Sequence, residues 1–283
     1  MELLTCPPLA VTPRVSLLHC LFVVSCVMPP DAAAAAPDEW AMVERRGPHL
    51  WASGRPFVAV LTRTNTITNE AYKDDPTILA WELINEPRCR SDPSGDTLQV
   101  WIEEMASYVK SIDSVHLLEI GVEGFYGPST PELSYVNPDA YSANAGTDFI
   151  RNHRVPGIDL ASVHVYSDTW LPHSVEDLHL NFVKTWMQQH IDDAANLLRM
   201  PILIGEFGVS LKDGKFNNEF REVFMKTVYD IFLSSWKAGV IGGGCLVWQL
   251  FPESAEHMDD GYAVIFAKSP STLNLLANHS RSL

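Results

Sequence analysis

Two glutamates lie in local sequences that could do paired acid and nucleophile chemistry. Glu86 closes the run WELINEP, and Glu206 lies in LIGEFGVS. In each, an apolar stretch with the character of a strand ends in a carboxylate. Pro87 stops the first stretch by withholding an N–H donor. That holds Glu86 at a sheet rim beside Asn85, whose amide can bond a hydroxyl. A protonated carboxyl that donates to a leaving oxygen, with an ionised carboxylate that attacks an anomeric carbon, is what hydrolysis of a glycosidic bond requires. A lone glutamate at a strand end is usually an ordinary rim residue paired with Arg or Lys. Two in these contexts favour a site.

Polar and aromatic residues recur at the ends of other apolar runs. His164 and Tyr166 close LASVHVY, two residues apart, so both point the same way. Trp248 comes late in GGCLVWQL. A core histidine, a half-buried strand tyrosine and a core tryptophan are the plain alternatives for these three. Trp170, in SDTWLP, reads equally as a sugar platform or a loop anchor.

The elements that must hold these residues alternate. Strands are expected at 56–62, 78–85, 116–122, 160–166, 201–207 and 243–250. Helical periodicity covers 96–113, with Leu98, Trp101, Ile102, Met105 and Val109 on one stripe and Asp96 as the expected N-cap. Further helices are expected over 174–198 and 217–239, the last stopped by Gly239. Alternation of this kind means βαβ units and a parallel sheet. In a (β/α) barrel the active site forms at the C-terminal ends of the strands, where these polar residues recur. A doubly wound open sheet is the alternative, but no Gly-rich phosphate loop follows the first strand.

The chain has 283 residues, 46% of them apolar, enough for a sizeable core. Its formal net charge of −15 repels phosphate backbones and anionic membranes, so no nucleic-acid or membrane partner is expected. Five cysteines show neither CxxC pairs nor zinc spacing, so neither a metal nor a cofactor is expected. Cys89 and Cys245 are expected to stay unpaired, with Cys245 facing away from the cleft. Arg14, the apolar run 15–28 and the small-residue stretch that follows read as a secretory leader cleaved near Ala36. The expected organisation is therefore a signal peptide, 1–36, lying clear of a single domain, 37–283. The mature chain is expected outside the cell.

Six blocks carry a resemblance. YKDDPTILAWELINEPRC, HLLEIGVEGFYG, GTDFI, SVHVYSDTWL, LIGEFGVS and GGGCLVWQL resemble, in order, the plant endo-β-mannanases of glycoside hydrolase family 5. The resemblance runs from about 62 to about 265. It implies a TIM-type (β/α)₈ fold and a cell-wall enzyme, a monomer that cuts internal β-1,4 links of mannans, galactomannans and glucomannans with retention. It makes Glu86 the proton donor and base, and Glu206 the nucleophile. Asn85 would contact the sugar 2-hydroxyl, His164 and Tyr166 would stand near the nucleophile, and Trp248 would floor the sugar subsite. In those places Asn85 can strengthen its bond as charge develops on the ring, and Tyr166 can donate to Glu206.

The resemblance also breaks. The family's second strand ends in an Arg-Thr-Trp type motif whose Arg supports the nucleophile, and no such block is present here. Residues 42–58 look like the family's start, and the sequence then jumps near 59–61 to the approach to strand four. About six of eight βα units are expected, hence an incomplete barrel, because strand number, shear and tilt are linked. The alternative to a hydrolase is an inactive relative that binds mannan without cleaving it. The strand at 56–62 is expected beside the strand at 78–85 and near that at 243–250.

Overall fold

In a computed structural model, the described residues are 60–212, 214–240 and 242–283, with the backbone of four short strands before them. Those strands are β1 (Phe22–Val24), β2 (Val43–Arg46), β3 (His49–Ala52) and β4 (Arg55–Pro56). Then follow β5 (Ile78–Glu82), helix α1 (Asp96–Ile112), β6 (Leu117–Glu119) and the short α2 (Phe149–His153). The second half holds β7 (Ala161–Val165), α3 (Ser167–Trp170), α4 (Glu176–Asp193), β8 (Ile202–Phe207), α5 (Asn218–Lys237) and β9 (Gly243–Val247). Short β10 (Leu250–Phe251) and β11 (Val264–Ile265) precede α6 (Pro270–Ser280).

The strands that carry chemistry are parallel. β5 pairs with β6, placing Glu82 opposite Glu119. β8 lies between β7 and β9, with His164 opposite Glu206 and Phe207 opposite Val247. Backbone bonds bridge the two sheets: Asp159 N–H donates to Leu118 O at 2.9 Å and His164 N–H to Glu123 O at 3.0 Å. The result is a wall in the order β5, β6, β7, β8, β9. Every residue of β7 is buried, the mark of a parallel strand covered on both faces.

Helices cover the wall's outer side. α1 lays Leu98, Ile102, Ala106 and Val109 against Ile78, Trp81 and Leu118. α4 and α5 close a larger core of Val183, Trp186, Met187, Phe224, Val228 and Phe232 over β7, β8 and β9. The Trp186 indole donates to His164 O at 3.0 Å, tying α4 to the strand that carries the site. Asn217 caps α5 by accepting from Phe220 N–H at 2.8 Å, and Gly239, at φ 68°, ends it as the sequence predicts.

Four expectations need correction. Asp96 is the first helical residue rather than the cap. The cap position is Gly95, and Asp92 reaches across to accept from Thr97 N–H at 2.8 Å. Second, 56–62 is not one strand. Its first residue ends β4, which pairs antiparallel with β3, and 60–62 form a turn closed by Arg63 N–H to Val60 O. The pairing of β4 with β3 takes up the start of this stretch, and among the described residues the strands paired with β5 are β1 and β6. Third, the beginning of the chain does not lie wholly clear of the wall. β1 runs parallel to β5, with Val23 opposite Ala80 and Val24 opposite Trp81. An apolar run meets unpaired N–H and C=O groups along an edge and satisfies them. Fourth, β9 stops at Val247, because the backbone turns at Trp248. The rest of the proposed leader lies outside the described residues.

Cys89 and Cys245 are both free, as expected. Cys245 packs against the core cluster beneath the helices. None of the described helices is long and apolar enough to cross a membrane.

Candidate active site

Three elements deliver the site. Glu86 stands on the loop after β5, His164 on β7 and Glu206 on β8. Sequence separation between the two glutamates is large, and parallel pairing brings them together. One carboxylate oxygen of each and one His164 ring nitrogen all lie within 4.8 Å of one another. The two glutamates at separate strand ends thus stand side by side.

Glu86 occupies a left-handed backbone conformation, φ 46°, uncommon for a residue with a side chain. Its N–H donates to Gly121 O at 2.8 Å, and this bond holds the turn. Gly121 is itself at φ 86°, where an added Cβ would stand 2.3 Å from Ile84 O. Strained backbone of this sort collects at functional sites. Neither conformation is visible in the sequence.

His164 is 1% exposed, and its Nδ1 lies 2.9 Å from Glu86 Oε1 and 3.8 Å from Glu206 Oε2. The Tyr166 hydroxyl donates to Glu206 Oε2 at 2.6 Å, as its strand position suggests. Burial and the neighbouring Glu206 charge push the Tyr166 hydroxyl pKa up, so it stays a donor. Burial works against a charged Glu86, but the His164 hydrogen bond and the charges of His164 and Arg88 outweigh it and lower the pKa. Burial likewise works against a charged His164, yet Glu86, Glu206 and Glu82 raise it. Both shifts favour a proton on His164 beside an ionised Glu86.

Asn85 is exposed, one residue before Glu86. Trp248 is 37% exposed; its backbone N–H donates to Phe207 O at 3.0 Å, and its indole Nε1–H to Asp260 Oδ2 at 3.2 Å. Trp170 is an anchor rather than a platform, packed against Phe125, Phe182 and Trp186.

Sequence reasoning passed over several residues. Arg88, inside NEPRC, donates to Glu123 Oε2 at 2.8 Å and stands 3.9 Å from Glu86 Oε2. Asp168 accepts from Tyr262 OH at 2.7 Å and from Ser210 N–H at 2.9 Å, bracing the loop behind Tyr166. Glu82 and Glu119 face each other across β5 and β6. Burial and then the Glu82 charge push Glu119 up to about 8. Burial also raises Glu82. The signal for this pair was a single carboxylate inside each of two apolar strands. The expectation of no metal set rested on cysteine and histidine spacing along the chain, and Glu86, His164 and Glu206 form a ligand-competent group only in space.

Comparison with known proteins places this geometry. The family described as "GH family 5 beta-mannosidase-like" matches residues 56–253. The rice (Oryza sativa subsp. japonica) protein "Mannan endo-1,4-beta-mannosidase 8" is 83% identical over 225 residues, covering 80% of this chain and 60% of its own. Rice "Mannan endo-1,4-beta-mannosidase 7" is 81% identical over 225 residues, covering 80% and 59%. This chain thus spans about 60% of the length of those relatives. Among solved structures, the endo-1,4-beta-D-mannanase of Thermotoga petrophila RKU-1 aligns with a TM-score of 0.64 at 25% identity, over 78% of this chain and 62% of that one.

Proposed function

The chain belongs to the β-mannosidase-like branch of glycoside hydrolase family 5, and from that premise we propose that it hydrolyses internal β-1,4 links of mannans with retention of configuration. The observation that carries the proposal is the carboxylate pair. Glu86 and Glu206 stand at the C-terminal ends of β5 and β8, two strands of the same wall, with oxygens within 4.8 Å. Retaining glycosidases hold their carboxyls about 5–5.5 Å apart, and inverting ones about 6.5–9.5 Å. A water would not fit between Glu206 and a bound sugar at this spacing, so Glu206 itself attacks.

Roles follow from contacts. Tyr166 occupies Glu206 Oε2 and leaves Oε1 to meet the anomeric carbon. Glu86 needs a proton to act as acid, and the adjacent His164 holds one at 2.9 Å. A sugar covering the cleft removes water, which disfavours a separated ion pair and favours the neutral pair with the proton on Glu86. After the leaving group departs, Glu86 is the base that activates water on the glycosyl-enzyme. Asn85 is the donor for the 2-hydroxyl, and the exposed face of Trp248 is the sugar platform. The substrates are mannan, galactomannan and glucomannan. The setting is the cell wall, reached by a secreted monomer cleaved near Ala36, and the barrel is incomplete, with the five parallel strands β5 to β9 where a closed one has eight.

One observation favours a second reading, a mannan-binding relative without turnover. Among the described residues, His164 is the only charged partner within 4 Å of Glu206, and no guanidinium supports the nucleophile. Reducing-end release from galactomannan separates the readings, with Glu206→Gln as control. Release that Glu206→Gln abolishes supports the hydrolase. Saturable binding of mannohexaose with no release supports the binder.

A further inference from the structure

We propose that Glu86, His164 and Glu206 form a three-donor site for a divalent ion of the zinc class, and that an ion there blocks the carboxylate chemistry. The binding claim stands on geometry alone; the blocking claim rests on the roles proposed above.

Donor type comes first. One imidazole nitrogen and two carboxylate oxygens suit Zn²⁺, whereas Ca²⁺ and Mg²⁺ prefer all-oxygen sets. Two carboxylates offset the charge of one divalent ion. Spacing is the second argument. Zinc bonds of about 2.0–2.1 Å in a tetrahedron separate neighbouring ligand atoms by about 3.3–3.4 Å. The two edges from His164 Nδ1, 2.9 Å to Glu86 Oε1 and 3.8 Å to Glu206 Oε2, bracket that value. Small rotations of the two carboxylates bring them to it. Three protein ligands with one open position is the pattern of an accessible zinc site. The glutamate side chains are 30% and 19% exposed, so an ion can enter from solvent.

The surroundings supply an independent argument. Glu119 is 1% exposed, and neither of its carboxylate oxygens has a hydrogen-bond partner. Glu119 and Glu82 both interact with the same His164, and burial opposes the ionised form of each. The nearest guanidinium, on Arg88, is held by Glu123. A cation placed beside such carboxyls favours their ionised form. The ligands are also held in place: Tyr166 fixes Glu206, and Trp186 fixes the His164 carbonyl. An ion bound there occupies the Glu86 and Glu206 lone pairs that hydrolysis uses, so occupancy and turnover exclude each other.

The test is titration calorimetry of the full chain with zinc chloride in a non-coordinating buffer, beside His164→Asn and Glu206→Gln. One saturable equivalent is expected, weakened at least 30-fold by either substitution, with circular dichroism unchanged. Absence of saturable uptake, or uptake unaltered by both substitutions, overturns the site. Cobalt(II) uptake by the unaltered chain, read from the visible bands of a tetrahedral nitrogen and oxygen site, covers the case in which a variant fails to fold. Octahedral or absent bands count against the proposal. Galactomannan assays run in parallel keep the two ideas apart. Zinc binding without hydrolysis in any condition removes the proposed function and leaves the site. Hydrolysis that is indifferent to saturating zinc removes the blocking claim.

Discussion

At the scale of single residues, the Tyr166–Glu206 and His164–Glu86 contacts make separate predictions. A hydrogen bond to a charged group contributes about 1.5–3 kcal/mol. If Tyr166 supports the nucleophile as charge moves, Tyr166→Phe lowers kcat by about 10–100-fold with little change in KM. Steady-state kinetics on mannohexaose check this, and a change confined to KM would assign the tyrosine to sugar binding. The pH dependence of turnover follows from the proton on His164. Its pKa is raised above the ordinary 6.5 by the surrounding carboxylates, despite burial. Activity should fall once the medium passes that raised value, at a higher pH than a free imidazole would set. The buried titratable groups also set the pH dependence of folding. Glu119, at about 8 when folded against 4.5 when unfolded, binds a proton on folding, so its contribution fades as pH rises from 4.5 to 8. His153 and His190, each about 4 when folded against 6.5, lose stability in the opposite direction, as pH falls from 6.5 to 4. His153 Nε2 accepts from Ser162 N–H at 3.1 Å, a bond that protonation removes. Thermal midpoints should peak at mildly acidic pH, and Glu119→Gln should flatten the alkaline slope. An unchanged slope would mean Glu119 does not carry it.

Elements decide where those residues stand. The turn after β5 places Glu86 by pairing its N–H with Gly121 O, and Gly121 has no room for a methyl. Gly121→Ala forces a side chain into a positive-φ position and against the Ile84 carbonyl, a strain of about 1–3 kcal/mol or more. The expected outcome is a melting temperature several degrees lower and a loss of kcat beyond what partial unfolding accounts for. A variant with normal kcat and only reduced stability would show that the turn tolerates a shift without moving Glu86. The same scale explains two departures from expectation. The helix α1 periodicity was legible, but its cap was not, because Asp92 reaches Thr97 around Gly95 rather than from the adjacent position. The 56–62 segment has strand-like composition, yet its first residue is committed to the β3–β4 pairing and a turn follows.

For the whole molecule, the question is closure. β5, β6, β7, β8 and β9 form a wall, and a family 5 barrel needs eight strands. Beyond β5 lies only the three-residue β1, and among the described residues no strand pairs with the outer edge of β9. Exposed edges invite pairing with other chains. The chain should therefore be more prone to aggregation than its longer relatives, as light scattering during a melt would report. Deleting residues 1–36 removes β1 and frees the β5 edge, so the shortened chain should scatter earlier. Equal behaviour of the two forms would mean that β1 contributes nothing. Turnover should lie at least 100-fold below a full-length relative if the absent arginine is worth about 3 kcal/mol. Cooperative melting with activity within about tenfold of that relative would refute the argument from missing units.

The sequence by itself determined the parallel αβ wall, the family, and the two glutamates at strand ends. Each rests on local information: hydrophobic period, a proline stop, and blocks of residues in fixed order. Tertiary structure alone decided which groups share a volume. Strand pairing sets His164 opposite Glu206, and a left-handed turn swings Glu86 toward both. The same pairing sets Glu82 against Glu119, which no linear spacing could show. It also decided that Phe22–Val24 pairs with β5, since an open edge takes an apolar strand that can reach it. Local pattern specifies what a segment is, and only the pairing of distant segments specifies which carboxylates must share one histidine.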